Sequence, residues 1–464
     1  MNTHITPPQK TNESSCEKCL DLDTGIHTLV EYFQSGSKGP DDFKLGFELE
    51  QIIVDENSYS VPYCTKLTVG QCSECAGRSV SDILAQLSKH YDTEIRALSQ
   101  DSESPLLGLS RKDAIITLEP GAQFEYSSQP FWRIEDLDQD FKDFQSELLA
   151  VTSSFGYRPL TIGYHPKTSV YDINLLPKER YQMMNQHFKK TGKHGINMMR
   201  GTASTQVTID YSSESDAITK MRVAAALTPL LSLLTDNTPR FENSPVEGFI
   251  KRTEIWNDVD PDRSMIIPGL FDRDYSFAAY AKTALTAPII LFDESAKGGA
   301  LSYGGQKGAC ETYDMSNLII PEIEHILSML FFDVRLRQYV EIRTADSMPF
   351  EYAKAYVALI KGLFYDKENL GALAALYARF TQDCIPAVKS ALIKDGYGAD
   401  ISYWYGTDVQ DILLGLIARA RAGLARIDKE SDGCEESTML DLFEDLVKNK
   451  TTLAKRAILN LGGE

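Results

Sequence analysis

Carboxylates recur on short, strand-like segments that lie far apart in this chain. Glu48 and Glu50 stand in Phe43-Lys44-Leu45-Gly46-Phe47-Glu48-Leu49-Glu50-Gln51, Glu119 and Glu125 flank a Pro120-Gly121 turn, and Glu341 shares a strand with Arg343. Acids gathered in this way neutralise a concentrated positive charge. Mg²⁺ carrying a nucleotide is the obvious candidate, because it takes hard oxygen ligands and is shared with substrate phosphates. Gln206 adds a neutral oxygen to the same set. Solvated glutamates on an outward strand face are the plain alternative for any one pair, and that alternative weakens as the arrangement recurs on further segments. Arginines supply the opposite charge. Arg200 stands in Gly195-Ile196-Asn197-Met198-Met199-Arg200-Gly201-Thr202, while Arg252, Trp256 and Arg263 stand in the segment from Lys251 to Arg263. Phosphoryl transfer needs fixed cations around the migrating charge, and a substrate carboxylate uses the same guanidinium fork. A surface ion pair is the alternative for each arginine, less so for Arg343 with its strand neighbour Glu341.

Periodicity places these residues on elements. Asp42 to Val54 alternates, with Phe43, Leu45, Phe47 and Leu49 on one face and Glu48 and Glu50 on the other, as in a half-buried strand. Ala114 to Ser127 reads as a hairpin turning at Glu119-Pro120-Gly121-Ala122. Thr202 to Tyr211 and Gln338 to Ala345 are further strands; Ser204, Gln206, Thr208 and Asp210 share one face of the former, and Tyr339, Glu341 and Arg343 one face of the latter. Helical spacing appears over Thr24–Ser35, from Val80, over Ile134–Leu148 and from Glu214 through Leu234. From Phe350 onward the chain reads as helices, with a capping box at Thr407-Asp408-Val409-Gln410 and a last helix over Leu440–Leu461. The stretch Lys297 to Gly308 is glycine-rich and reads as a mobile loop.

Composition narrows the function classes. The 464 residues carry a net charge of −19, which repels nucleic acid and anionic lipid. No apolar run approaches the ~18 residues that span a bilayer, and the polar start Met1 to Pro8 has no signal-peptide core, so a cytoplasmic location is expected. The eight cysteines read as reduced and structurally minor. A zinc or redox role for Cys16-x-x-Cys19 and Cys72-x-x-Cys75 is the alternative, although their separation exceeds the usual zinc spacing. The glycine-rich stretch lacks the Gly-Lys-Ser/Thr ending of a phosphate-binding loop, and there is neither a Gly-x-Ser-x-Gly elbow nor a His-Glu-x-x-His pair.

Five ordered motifs, Gly46 to Glu50, Leu118 to Glu125, Asn197 to Val207, Ile255 to Arg263 and Arg337 to Arg343, together resemble the glutamate–cysteine ligases of the plant type, also found in bacteria. The resemblance covers roughly residues 40 to 365. It implies ATP-dependent ligation of the L-glutamate γ-carboxylate to the L-cysteine amine. It also implies an α+β fold akin to glutamine synthetase, with a curved, mainly antiparallel sheet forming a funnel covered by helices. Carried over by motif, Glu48, Glu50, Glu119, Glu125, Gln206 and Glu341 would form the Mg²⁺ shell, and Arg343 would face the transferred phosphoryl group. Arg200, Thr202, Arg252, Trp256 and Arg263 would line the substrate pocket, Arg200 and Arg263 counted also with the catalytic cations. Lys193-His194-Gly195 departs from the family pattern, where an acidic residue often precedes the glycine.

The expected organisation is a loose segment over residues 1–20, a catalytic domain over 21–365 and a helical part over 366–464 packed on it. Two other functions fit the same residues: the same γ-glutamyl transfer to a different amine, and a non-catalytic nucleotide or amino-acid sensor. Small molecules are the expected partners, and the oligomeric state is not legible in the sequence.

Overall fold

The computed structural model describes residues 21–63, 78–96, 104–427 and 434–461. The expected loose segment over 1–20 and both Cys-x-x-Cys pairs lie outside them. Among the described residues the main sheet has nine strands: β1 (Leu45–Val54), β2 (Thr93–Arg96), β3 (Leu106–Arg111), β4 (Ala114–Leu118), β5 (Phe124–Ser128), β6 (Arg158–Leu160), β7 (Ser204–Ile209), β8 (Val334–Leu336) and β9 (Val340–Asp346). Their order is β8-β9-β7-β1-β5-β4-β3-β2, with β6 pairing the far end of β1, and every pairing is antiparallel. The expected α+β architecture, a mainly antiparallel sheet covered by helices, is the one observed.

Alternation in the sequence becomes two unlike faces. Phe47 and Tyr126 point outward against α2 (Ile134–Ser154) and α6 (Phe350–Phe364), where the rings of Phe141 and Phe350 stack with centroids 3.9 Å apart. Aromatic pairs in such offset or edge geometries add to the burial of apolar area. The opposite face holds the polar set. α1 (Leu22–Ser35) matches the predicted helix within two residues. The longer helices include α3 (Glu179–Thr191), α4 (Glu214–Leu234), α5 (Ile320–Ser328) and α7 (Val409–Ile427) beside α1, α2 and α6. One buried cluster runs from Leu29 to Val447 and so joins the helical C-terminal part to the sheet. The Tyr405 hydroxyl donates to the Ala226 carbonyl at 2.5 Å across the same junction.

Several local expectations change. α4 is apolar enough over its length to cross a membrane, which the sequence reading had not allowed, but 89% of that stretch is buried inside the protein. Its start is as expected, with the Ser213 side chain accepting from Asp216 N–H. The cap of α7 comes from Asp408, whose carboxylate accepts from Asp411 N–H at 2.9 Å, and not from Thr407 and Gln410. The last helix is two, Asp441–Lys448 and Leu453–Leu461, separated where Lys450 adopts φ +48°. The glycine-rich stretch is partly folded: Leu301–Tyr303 pairs with Leu291–Asp293 as a hairpin, and Lys297 Nζ reaches Glu322 at 2.9 Å. Cys310 is disulfide-bonded, contrary to the reduced state expected, while Cys384 is free.

Candidate active site

β1 sits at the centre of the polar face. Glu50 lies opposite Glu125 of β5, and Glu48 lies opposite Gln206 of β7. Thr117 of β4 faces Glu125 in turn, and its hydroxyl donates to Glu125 Oε1 at 2.7 Å. Glu119 enters from the β4–β5 turn, where Ala122 N–H donates to the Glu119 carbonyl at 2.8 Å and Ala122 takes φ +63°. Gly121 is required there by close approach, since a Cβ would meet the Arg200 carbonyl oxygen at 2.5 Å. Glu48, Glu50, Glu119, Glu125 and Gln206 therefore line one cavity of about 280 Å³.

Cations line the same cavity: Lys178, Arg180, Arg252, Arg335, Arg337 and Arg343. Arg343 occupies an irregularity of the β9–β7 pairing between Ile342 and Ala345, with its N–H turned to the Asp333 carbonyl at 3.0 Å. Such bulges re-aim side chains. Its Nη1 donates to Gln206 Oε1 at 2.5 Å and to Glu341 Oε1 at 2.6 Å. Glu341 is held from below by Arg335 in a fork, at 2.7 and 2.9 Å.

The charge balance is uneven. Burial, then the Glu341 charge, push Glu48 up to about 7 against the pull of Arg343, Arg335 and Arg337. Burial, then Glu119, bring Glu50 to about 7, although Ser204 donates to it through both backbone N–H (2.9 Å) and hydroxyl (2.8 Å). Glu125 lies well above its ordinary value through burial and repulsion from Glu48, Glu119 and Glu50, and Glu119 is raised by burial. Glu341 behaves in the opposite way: burial works against its ionisation, but Arg335, Arg343 and Arg337 outweigh it and hold the carboxyl far below the usual range. Burial thus outweighs the nearby cations at four carboxylates, while the arginines outweigh burial at the fifth. Hard oxygen donors short of positive charge fit a divalent cation. Among the described residues no three acidic, imidazole or thiol groups form a ready-made ion cage.

Of the residues singled out in the sequence, Glu48, Glu50, Glu119, Glu125, Gln206, Thr202, Arg252, Trp256 and Arg343 come together at the cavity. Arg252 Nε and Nη1 and Trp256 Nε1 are buried there without a hydrogen-bond partner among the described residues, and the guanidinium carbon lies 5.3 Å from the indole centroid. Such unspent donors suit an anionic group. Three residues stand elsewhere. Glu341 is beneath the cavity wall, occupied by two arginines. Arg200 turns away to the carbonyls of Val170 and Ile173 and to Asn185 Oδ1. Arg263 is fully buried, with Nε on Asp260 Oδ2 at 2.6 Å and Nη2 on the Pro288 carbonyl at 2.5 Å. Its charge is consumed by Asp260, which also contacts His187 Nε2 at 2.6 Å.

The sequence reading missed Lys178, Arg180, Arg335 and Arg337. Arg335 and Arg337 alternate with Val334 and Leu336, a period-two signal that extends the strand argument upstream of Arg343. Lys178 and Arg180 begin α3 and have the composition of any exposed helix start.

The family model of Glutamate-cysteine ligase family 2 matches residues 44–449. The glutamate–cysteine ligase of Arabidopsis thaliana, named as chloroplastic, is 30% identical over 448 residues, spanning 94% of this chain and 80% of that protein. That of Medicago truncatula, also named as chloroplastic, is 29% identical over 440 residues, 93% and 80% of the two chains. Among solved structures, a bifunctional glutathione synthetase from Pasteurella multocida aligns with TM-score 0.44 and 13% identity over 96% of this chain and 51% of that one.

Proposed function

The chain belongs to glutamate-cysteine ligase family 2, and from that premise we propose that its cavity joins the γ-carboxylate of L-glutamate to the amine of L-cysteine at the expense of ATP. The observation that carries the reading is one cavity lined both by buried acids and by arginines. A γ-carboxylate oxygen attacks the γ-phosphorus of ATP and ADP leaves. The cysteine amine then attacks the carbonyl carbon of the γ-glutamyl phosphate, loses a proton and expels phosphate, giving γ-glutamylcysteine. No enzyme nucleophile takes part, so positioning and charge neutralisation carry the rate.

Glu48, Glu50, Glu119, Glu125 and Gln206 would hold Mg²⁺, which supplies compensation for the phosphate chain. Glu341 is better read as the anchor of Arg343 than as a direct ligand. Arg343, kept at the edge of the acidic set by Glu341 and Gln206, faces the charge of the transferred phosphoryl group. Arg252 and Trp256 offer their open N–H groups to a substrate carboxylate, and Thr202 lines the same wall. The relatives' names place them in chloroplasts.

The test is ADP release by the purified protein with ATP, Mg²⁺ and L-glutamate, with and without L-cysteine, with the product mass determined. Cysteine-dependent release with a γ-glutamylcysteine mass is expected. Release with some other amine only would replace the acceptor, and ATP binding without release would favour a sensor.

The pKa pattern adds a pH-dependent expectation. Glu48 and Glu50 titrate near 7 in the fold against an ordinary 4.5. The folded state therefore binds more protons than the unfolded chain between those values, and stability falls as pH rises through that window. A divalent cation relieves the repulsion only where both groups are ionised. Mg²⁺ should raise the melting temperature clearly at pH 8 and little at pH 5.5, as read by scanning calorimetry. Equal shifts at both pH values would contradict a cation held by these carboxylates.

A further inference from the structure

The cations around the cavity are held in two different ways. Arg335 is forked by a carboxylate that consumes its charge. Arg180, at the start of α3, is held by neutral groups on α5: its Nη2 donates to Ser328 Oγ at 2.8 Å, and its Nη1 lies 3.4 Å from His325 Nδ1. The Ser328 hydroxyl proton is committed to the His325 carbonyl at 2.7 Å, so its lone pair is what Arg180 meets. His325 Nε2 lies 3.1 Å from the Leu291 carbonyl, which only accepts. The ring therefore carries its proton on Nε2 and presents an unprotonated Nδ1 to Arg180. Burial, then the Arg180 charge, keep the imidazole neutral, against weaker opposing pulls from the Leu291 carbonyl and Asp293. No carboxylate lies within ion-pair distance of Arg180 among the described residues, the Glu119 charge acting on it from farther off, and it lines the cavity beside Lys178 and Arg337.

A carboxylate in place of His325 would aim the guanidinium equally well and cancel it. A neutral acceptor fixes the direction and leaves a full charge for a ligand. The richest anion in the reaction is the phosphate chain, and the acidic set in the cavity repels it without a metal. We propose that His325 is a positioning residue for the nucleotide, a neutral imidazole that tethers α5 to the Leu291–Tyr303 hairpin and aims Arg180 at the phosphate chain of ATP without discharging it. This rests on the ligase reading only for the identity of the anion.

The test uses the full chain and calorimetric titration with Mg²⁺-ATP in the absence of amino acids, beside steady-state KM values. His325→Ala should weaken ATP binding about tenfold, the size of a lost hydrogen bond to a charged group, with the KM for L-glutamate and L-cysteine within about twofold of wild type. His325→Gln, whose amide can donate to Leu291 and accept from Arg180, should restore affinity. His325→Glu, which keeps the acceptor and adds a charge, should bind ATP at least as weakly as the alanine variant. Glutamate and glutamine variants of equal affinity would overturn the proposal, because a merely structural role does not distinguish their charges. So would parallel rises in all three KM values. Wild-type protein that binds ATP yet forms no γ-glutamylcysteine would sink the ligase reading and leave the affinities to judge His325. Wild-type protein that binds no ATP would overturn both.

Discussion

Arg343→Ala is expected to lower turnover by about 10³-fold at saturating substrates, with the fold retained. Preorganised donors aimed at developing charge are worth ~10²–10³ in rate each, and Arg343 lines the cavity with its Nη1 on Gln206 of the acidic set. The fold survives because Glu341 keeps both hydrogen bonds from Arg335; what is lost are the bonds to Gln206 and Glu341 and a charge at the cavity surface. Glu48→Gln makes a sharper companion. It should also cost orders of magnitude in turnover, yet it removes a carboxylate that burial and Glu341 already hold near pKa 7. Without divalent metal at pH 8 that variant should be more stable than wild type, by up to about 3 kcal/mol. Activity lost and stability gained in one substitution is the signature of a strained functional site. Near-normal cysteine-dependent ADP release in both variants would remove these residues from the chemistry.

Arg263→Ala is expected to act in the reverse sense, through stability. Removing one member of a buried ion pair leaves the other charge uncompensated, at a cost of ~3–5 kcal/mol. Here the survivor is Asp260, itself almost fully buried, with burial opposing its ionisation and His187 and Arg263 supporting it. The same substitution frees the Pro288 and Met329 carbonyls, which Arg263 ties together at 2.5 and 3.4 Å. Arg263→Lys cannot reproduce that fork and should also destabilise, by less. Urea titration measures the effect. Unchanged stability with lost turnover would return Arg263 to the pocket.

The contrast between Arg343 and Arg263 shows where sequence reading succeeds. A period of two assigns a face, and a face shared by several strands assigns a site; Glu48, Glu50, Glu125 and Gln206 became neighbours through register alone. Glu119 followed from its turn chemistry. Arg200 and Arg263 lie in helical or irregular segments where no period states the direction of a long side chain, and the carbonyls that receive them come from loops remote in sequence. Lys178 and Arg180 were illegible for the same reason. Arg335 was legible as a strand residue, but its partnership with Glu341 depends on how β8 folds back on β9. The length of α4 has another cause: Lys220 is buried against the Asp210 carbonyl and Asp216, so its charge is absorbed within the core.

The strand order has a consequence for how the protein is made. β1 emerges first and ends up in the middle of the sheet, while its arginine-bearing relatives β8 and β9 follow nearly 300 residues later. A nascent chain that has just released β7 therefore possesses the acids and few of the cations that restrain them. Ribosomes add ~5–20 residues per second, so that imbalance lasts on the order of ten seconds. Non-local pairing is slow for entropic reasons, and here repulsion delays it as well. A fragment ending before Val334 should stay protease-sensitive, most of all at alkaline pH; a protease-resistant fragment would show that the acidic half closes on its own.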